Sequence, residues 1–144
     1  MRQPYVDDLA SRFAADCTVL RHGSAALVQM AEAALAGERP STEAVAEALS
    51  GLLAQPGGES IDVIVNACTH FPLLEPELVE ATGGRVQFVD GGPGIARRIA
   101  YLTQGQGWAE TPTLGRAVFT GKEPPSIALK SALAFYGLSS VESL

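Results

Sequence analysis

The sequence predicts an α/β fold in which a mostly parallel sheet is flanked by helices, and three observations lead to that prediction. Residues 61–67 form a short apolar run rich in β-branched side chains, which is typical of a buried parallel strand. Segments with helix and strand patterns alternate along the chain, as they do in βαβ units. A length of 144 residues, 47% of them hydrophobic, suits one ordinary domain or a piece of a larger protein.

Six segments carry apolar residues at helical spacing and are predicted to be helices. They cover residues 5–14, 25–36, 41–54, 74–81, 95–103 and 126–136. Ser24 and Ser41 are expected to cap the second and third helices, and Gly37 is expected to end the second. Pro76 is compatible with the first turn of the fourth helix, where a missing N–H costs nothing.

Four short segments between turn residues are predicted to be strands. They cover residues 17–20, 61–67, 85–90 and 116–120. Cys17 begins the first of them, and we expect its thiol to pack in the core, as free cysteines commonly do. His22 is expected to be a loop residue. The glycine-rich stretch at residues 104–107 is the best internal boundary.

Charge and composition argue against several classes of partner. A net charge of -6 without a Lys/Arg cluster makes a nucleic-acid surface unexpected. No apolar run approaches the ~20 residues that a membrane span needs, and residues 1–4 lack the apolar region of a signal peptide. Two cysteines do not indicate a disulfide scaffold, so a reducing cytoplasm is the expected location.

A thiol, a hydroxyl and an imidazole follow the predicted central strand in immediate succession, at Cys68, Thr69 and His70. Open α/β sheets bind their ligands at the carboxyl ends of strands, so this is where chemistry is expected. A helix that begins shortly afterwards, and a neighbouring imidazole, both favour a reactive thiolate. The backbone N–H groups and the Thr69 hydroxyl are suited to holding a carboxylate.

Each of these residues also has a purely structural interpretation. Cys68 would then be an inert, buried thiol at a strand end, and His70 would stabilise the turn. Thr69 would be an ordinary turn residue. Metal binding is not expected, because Cys68 and His70 have no further ligands at matching spacing.

Residues 67–74, Ala-Cys-Thr-His-Phe-Pro-Leu-Leu, resemble the second cysteine motif of glutamate racemases, within the aspartate/glutamate racemase superfamily. The usual motif has Gly where this chain has Ala67. The resemblance implies two similar α/β lobes with the active site between them, and this chain would be the carboxyl-terminal portion. Residues 1–103 would form most of the second lobe. Residues 104–144 would be a linker and a segment that returns towards the first lobe.

The resemblance also implies roles for individual residues. Cys68 would be one of two catalytic thiols, His70 its helper, and Thr69, with His70, a contact to the substrate carboxylate. Residues 27–32, Leu-Val-Gln-Met-Ala-Glu, resemble the racemase helix that brings a carboxylate, here Glu32, towards the site. The alternative for Glu32 is a solvated helix charge. Cys17 lies on no racemase motif.

The family resemblance implies a cofactor-independent isomerase that interconverts L- and D-glutamate by two-thiol proton transfer for peptidoglycan synthesis. A homo-oligomer is expected, because a lobe without its partner lobe leaves an apolar face uncovered. The family's first cysteine motif does not occur in these residues, so the chain alone is expected to be at most a half-site. Two alternatives remain open: an aspartate racemase, and a non-catalytic module that binds a partner or a small carboxylate.

Overall fold

The computed structural model describes residues 4–111, 113–121 and 124–143. Within them lie six α-helices, namely α1 Pro4–Phe13, α2 Ala25–Leu35, α3 Thr42–Leu53, α4 Glu75–Ala81, α5 Gly92–Leu102 and α6 Ile127–Phe135. The same residues contain four strands, namely β1 Val63–Asn66, β2 Gln87–Asp90, β3 Gly115–Phe119 and β4 Leu138–Ser143. Two short 3-10 turns, Gly58–Ser60 and Phe71–Leu74, precede β1 and α4.

The helix boundaries follow the capping residues that the sequence offers. Ser24 Oγ accepts a hydrogen bond from the backbone N–H of Leu27, and Ser41 Oγ accepts one from that of Ala44, both at 3.2 Å. These contacts satisfy N–H groups that have no partner within the helix, which confirms the predicted starts of α2 and α3. After α2 the chain turns at Gly37, whose φ of 97° is a left-handed conformation that favours glycine.

The strands form two parallel pairs. β1 pairs with β2 so that Asn66 lies opposite Asp90, and β3 pairs with β4. The predicted α/β class with parallel strands is confirmed. β4 was not predicted, because its sequence follows the predicted end of the last helix and carries little apolar alternation.

Two strand predictions need correction. Residues 17–20 form no strand, because the chain turns after α1, with the Cys17 N–H bonded to the Ala14 carbonyl at 3.1 Å. The central strand is shorter than residues 61–67 and is covered on one face only. Asn66 is buried, whereas Val63 is 44% and Val65 67% exposed. β-branched residues favour a strand, but whether both faces are buried depends on what packs over them.

The hydrophobic core lies between α2, α3 and the segment that runs from the 3-10 turn into α4. Its buried members are Leu27, Ala31, Val45, Leu49, Leu74 and Leu78. Each fully buried leucine contributes about 1.5–3 kcal/mol relative to an exposed one. The core therefore anchors the residues that directly follow the Cys-Thr-His sequence.

Some expectations fall outside the described residues, including those on residues 1–3 of the start and on residues 112, 122–123 and 144 of the predicted returning segment. Among the helices that the structure describes, none combines the length and the apolar character needed to cross a membrane.

Candidate active site

The Cys-Thr-His sequence forms a tight turn directly after β1. The backbone N–H of Phe71 donates to the Cys68 carbonyl at 3.3 Å, which closes the turn and leads into the 3-10 turn Phe71–Leu74. Leu74 then enters the core as a fully buried residue. A strand end on one side and a core anchor on the other thus fix where Cys68 and His70 lie.

The thiol and the imidazole of this turn are in contact. Cys68 Sγ lies 3.6 Å from His70 Nδ1, and Cys68 is half-buried. A hydrogen bond from the backbone N–H of His70 is the main cause that lowers the pKa of the Cys68 thiol, and the His70 imidazole lowers it further. Desolvation acts in the opposite direction. Hydrogen bonds to the charged form therefore favour the thiolate.

The other nitrogen of the same imidazole reaches a carboxylate on α2. His70 Nε2 lies 2.8 Å from Glu32 Oε1. The pKa of His70 is raised, first by its hydrogen bond with Cys68 and then by its hydrogen bond with Glu32. A protonated imidazole can donate to both neighbours at once. The three side chains therefore form one line, from thiol through imidazole to carboxylate.

The line is accessible from solvent at its carboxylate end, since the Glu32 side chain is 61% exposed. Thr69, in the turn between Cys68 and His70, is also exposed, so its hydroxyl is available to a ligand. A thiolate held by an imidazolium can accept a proton from a bound substrate and return it. The arrangement suits acid–base chemistry.

Cys17 and His22, which the sequence analysis did not assign to the site, make no contact with Cys68, His70 or Glu32 among the hydrogen bonds of the described residues. Cys17 was expected in the core, but it is exposed, because the turn after α1 carries it on the surface next to Asp16. The Asp16 carboxylate raises the pKa of the Cys17 thiol by charge repulsion. His22 lies in a loop, as predicted, and its ring packs where a β-carbon on Gly51 would otherwise lie.

The glycine-rich turn before α5 is held by an internal carboxylate. Asp90 Oδ1 accepts a hydrogen bond from the backbone N–H of Gly92 at 2.5 Å. Asp90 therefore anchors the turn at the start of α5. Among the residues that the structure describes, no group of three His, Cys, Asp or Glu side chains is arranged so that it could hold a metal ion.

One group of contacts near the site was not predicted. Arg39, in the connector after α2, forms a two-pronged ion pair with Glu77 on α4 and also donates to the Leu73 carbonyl at 3.2 Å. The residues are 34 and 38 positions apart from Arg39 in sequence, and no motif links them.

These features together define an α/β protein with a candidate acid–base site, centred on a cysteine, at a strand end. Glutamate racemase of Sphingopyxis alaskensis is 53% identical over 147 aligned residues, which cover all of this chain and 54% of that enzyme. Glutamate racemase of Pectobacterium carotovorum is 39% identical, again over the whole chain and 50% of the relative. No protein-family model matches the chain.

The structure points to the same proteins. It matches the crystal structure of Escherichia coli glutamate racemase in complex with L-glutamate and the activator UDP-MurNAc-Ala, with a TM-score of 0.81 and 34% identity. The match covers 99% of this chain and 53% of that one. The resemblance to glutamate racemases is confirmed along the whole chain. The chain spans about half the length of these relatives, which is consistent with a carboxyl-terminal portion.

Proposed function

We propose that this chain supplies one half of the active site of a glutamate racemase, with Cys68 as one of the two thiols that exchange the α-proton. The line from Cys68 through His70 to Glu32 is the observation that carries the proposal. The relatives that match the whole chain act as support, because they are named glutamate racemases.

The proposed chemistry follows from this geometry. The Cys68 thiolate takes the α-proton from one face of glutamate, so that an S–H bond forms as the Cα–H bond breaks. A second thiol, outside these residues, delivers a proton to the opposite face, because one base alone cannot invert the centre. The chemistry uses no cofactor.

His70 and Glu32 have supporting roles in this proposal. His70 stabilises the thiolate through Nδ1, and Glu32 stabilises the charged imidazole through Nε2. Thr69, which is exposed, holds the substrate carboxylate through its hydroxyl.

In the complete protein, residues 1–103 make up most of the second lobe, and residues 104–144 return towards the first. The enzyme works in the cytoplasm as a homo-oligomer and provides D-glutamate for peptidoglycan, the polymer of the cell wall that maintains cell shape. Glutamate is favoured over aspartate as substrate because the relatives are named for glutamate and the Escherichia coli complex contains L-glutamate.

A chimera tests the proposal. The part of the Sphingopyxis alaskensis enzyme that this chain does not cover is joined to residues 1–144, and circular dichroism follows glutamate from either enantiomer. We expect racemisation in both directions, its loss in Cys68→Ser, and its retention in the matched control Cys17→Ser. An active chimera that tolerates Cys68→Ser would disprove the role of this thiol.

A further inference from the structure

The helix α2 and its connector meet the segment after β1 at two separate polar points. At the first, Glu32 contacts the ring of His70 at 2.8 Å. At the second, Arg39 contacts the Leu73 carbonyl and the Glu77 carboxylate. Between them, Ala31 and Leu74 lie in the shared apolar core. On α2, only Glu32 contacts the His70 ring, whereas the chain three residues later is fixed by a separate set of hydrogen bonds from Arg39.

The contact at Arg39 has the geometry of a rigid attachment. Arg39 Nε lies 2.7 Å from Glu77 Oε1, and Arg39 Nη2 lies 2.5 Å from Oε2, so both prongs of the guanidinium are used. The Glu77 side chain is only 14% exposed. A carboxylate that is largely removed from water needs a charged partner, and a bidentate arginine also fixes its orientation.

Apolar packing alone does not supply such orientation. The hydrophobic effect keeps α2 and the segment together, but it has no direction of its own and does not set the angle of a polar side chain. The hydrogen bond between His70 and Glu32 is directional and weakens steeply with poor geometry. A small rotation of the turn that kept Leu74 in the core would therefore still disturb the imidazole.

We propose that Arg39 and Glu77 are positioning residues, which fix the turn after His70 on α2 so that its ring stays aligned with both neighbours. Neither side chain is assigned a contact to substrate. Arg39 acts through the Leu73 carbonyl and Glu77, and the effect reaches Cys68 through His70. This inference rests on the proposed function, because it concerns the activation of the same thiol.

The test measures the pH at which Cys68 reaches half of its maximal alkylation rate, in the 144-residue chain, by iodoacetamide labelling and mass spectrometry. The charged groups that bear on the line are Cys68, His70 and Glu32 themselves, with Arg39 and Glu77 on the elements packed against them. Arg39→Lys keeps the positive charge but loses the two-pronged geometry. Circular dichroism establishes that each variant is folded.

We expect Arg39→Lys to raise this midpoint by about 0.5–1 pH unit, which slows labelling at pH 7 by roughly three- to tenfold. Glu77→Gln should shift it in the same direction, and it decides the question if Arg39→Lys does not fold. Arg116→Lys is the matched control, because Arg116 pairs with Glu142 between β3 and β4, where both side chains are at least half exposed. It should leave the midpoint unchanged.

A purely structural role for the ion pair predicts a different result. Arg39→Lys and Glu77→Gln would then lower the melting temperature without moving the midpoint, and that outcome would overturn the inference. Glu32→Gln separates the two proposals. If Glu32→Gln shifts the midpoint while Arg39→Lys does not, the positioning role of Arg39 is wrong, and the effect of Glu32 on Cys68 through His70 is supported. If the chimera does not racemise glutamate but Arg39→Lys still shifts the midpoint, the positioning role stands without the proposed function.

Discussion

His70 Nε2 lies 2.8 Å from Glu32 Oε1, although the two residues are 38 positions apart in sequence. The contact joins the turn after β1 to the middle of α2. It places a carboxylate behind an imidazole whose other nitrogen faces the Cys68 thiol. The candidate site therefore runs from a thiol through an imidazole to a carboxylate. Five predictions test the consequences of this arrangement and of the surrounding fold.

Cys68 should react faster with iodoacetamide than Cys17 at neutral pH. The hydrogen bond from the His70 backbone and the imidazole lower the pKa of Cys68, whereas Asp16 raises the pKa of Cys17. Because Cys17 is exposed, the difference comes from the thiolate fraction rather than from access, and it should narrow as the pH approaches 9. Labelling each cysteine across pH 6–9 measures this. Asp16→Asn should accelerate Cys17 alone, and equal rates for the two thiols at pH 7 would contradict the prediction.

Glu32→Gln should lower the pKa of His70, which Glu32 and Cys68 both raise. A raised folded-state pKa means that the charged imidazole stabilises the fold fully below its ordinary value near ~6.5, and that this contribution is lost as pH rises through the higher folded value. The substitution should therefore weaken stability more at pH 5.5 than at pH 8.5. NMR titration of His70 and denaturant unfolding at both pH values test it. A stability loss that is the same at both would show that the charge pair does not contribute.

The 144-residue chain alone should not interconvert D- and L-glutamate at a measurable rate. Inversion needs a base and an acid on opposite faces of the α-carbon, and in the proposed mechanism Cys68 supplies a thiol to one face only. A coupled-enzyme assay at high protein concentration, started from each enantiomer, provides the measurement. Turnover in both directions that Cys68→Ser abolishes would mean that Cys17 or a second copy supplies the other thiol, and Cys17→Ser would then distinguish these two sources.

The chain should associate in solution, because two amphipathic helices leave their apolar faces uncovered. No residue of α1 or α5 is buried. Large side chains exposed on these helices include Tyr5, Leu9, Phe13, Ile95, Ile99 and Leu102. Contiguous apolar surface of this kind usually marks an interaction site. Light scattering across a range of concentrations should detect dimers or larger species, and Ile99→Lys should reduce them. A monomer at every concentration would count against the prediction.

Leu74→Ala should destabilise the chain by about 2–5 kcal/mol, the usual range for a cavity left by a fully buried leucine. Leu74 joins the turn of the candidate site to α2 and α3 through the core. Urea unfolding gives the free energy. The matched control is Val118→Ala on β3, where the side chain is 48% exposed and the expected loss is within about 0.5 kcal/mol. Similar losses for the two variants would show that the core lies elsewhere.

The helices and the position of the candidate site were largely predictable from the sequence, because they depend on local chemistry. Ser24 and Ser41 start helices by bonding N–H groups three residues later, and that interaction needs no distant partner. The eight-residue motif around Cys68 likewise identified the turn after β1. The strands were less predictable: β4 was missed, and a strand was wrongly predicted at residues 17–20. A short segment becomes a strand only if another strand lies beside it, and local sequence does not reveal that.

The sequence by itself determined the α/β class, the helix starts, and the thiol and imidazole at the end of the central strand, all of which follow from periodicity, capping and neighbouring residues. Only the tertiary structure decided which face of β1 is uncovered, that Cys17 is exposed, and that Arg39 meets the segment after Cys68. For Glu32 the family resemblance implied a place near the site, and the structure gave the contact with His70. The reason is physical: local preferences act over a few residues, whereas burial and ion pairing depend on how distant elements pack. Nothing in the local sequence indicates that Arg39 and Glu77, 38 positions apart, are in contact.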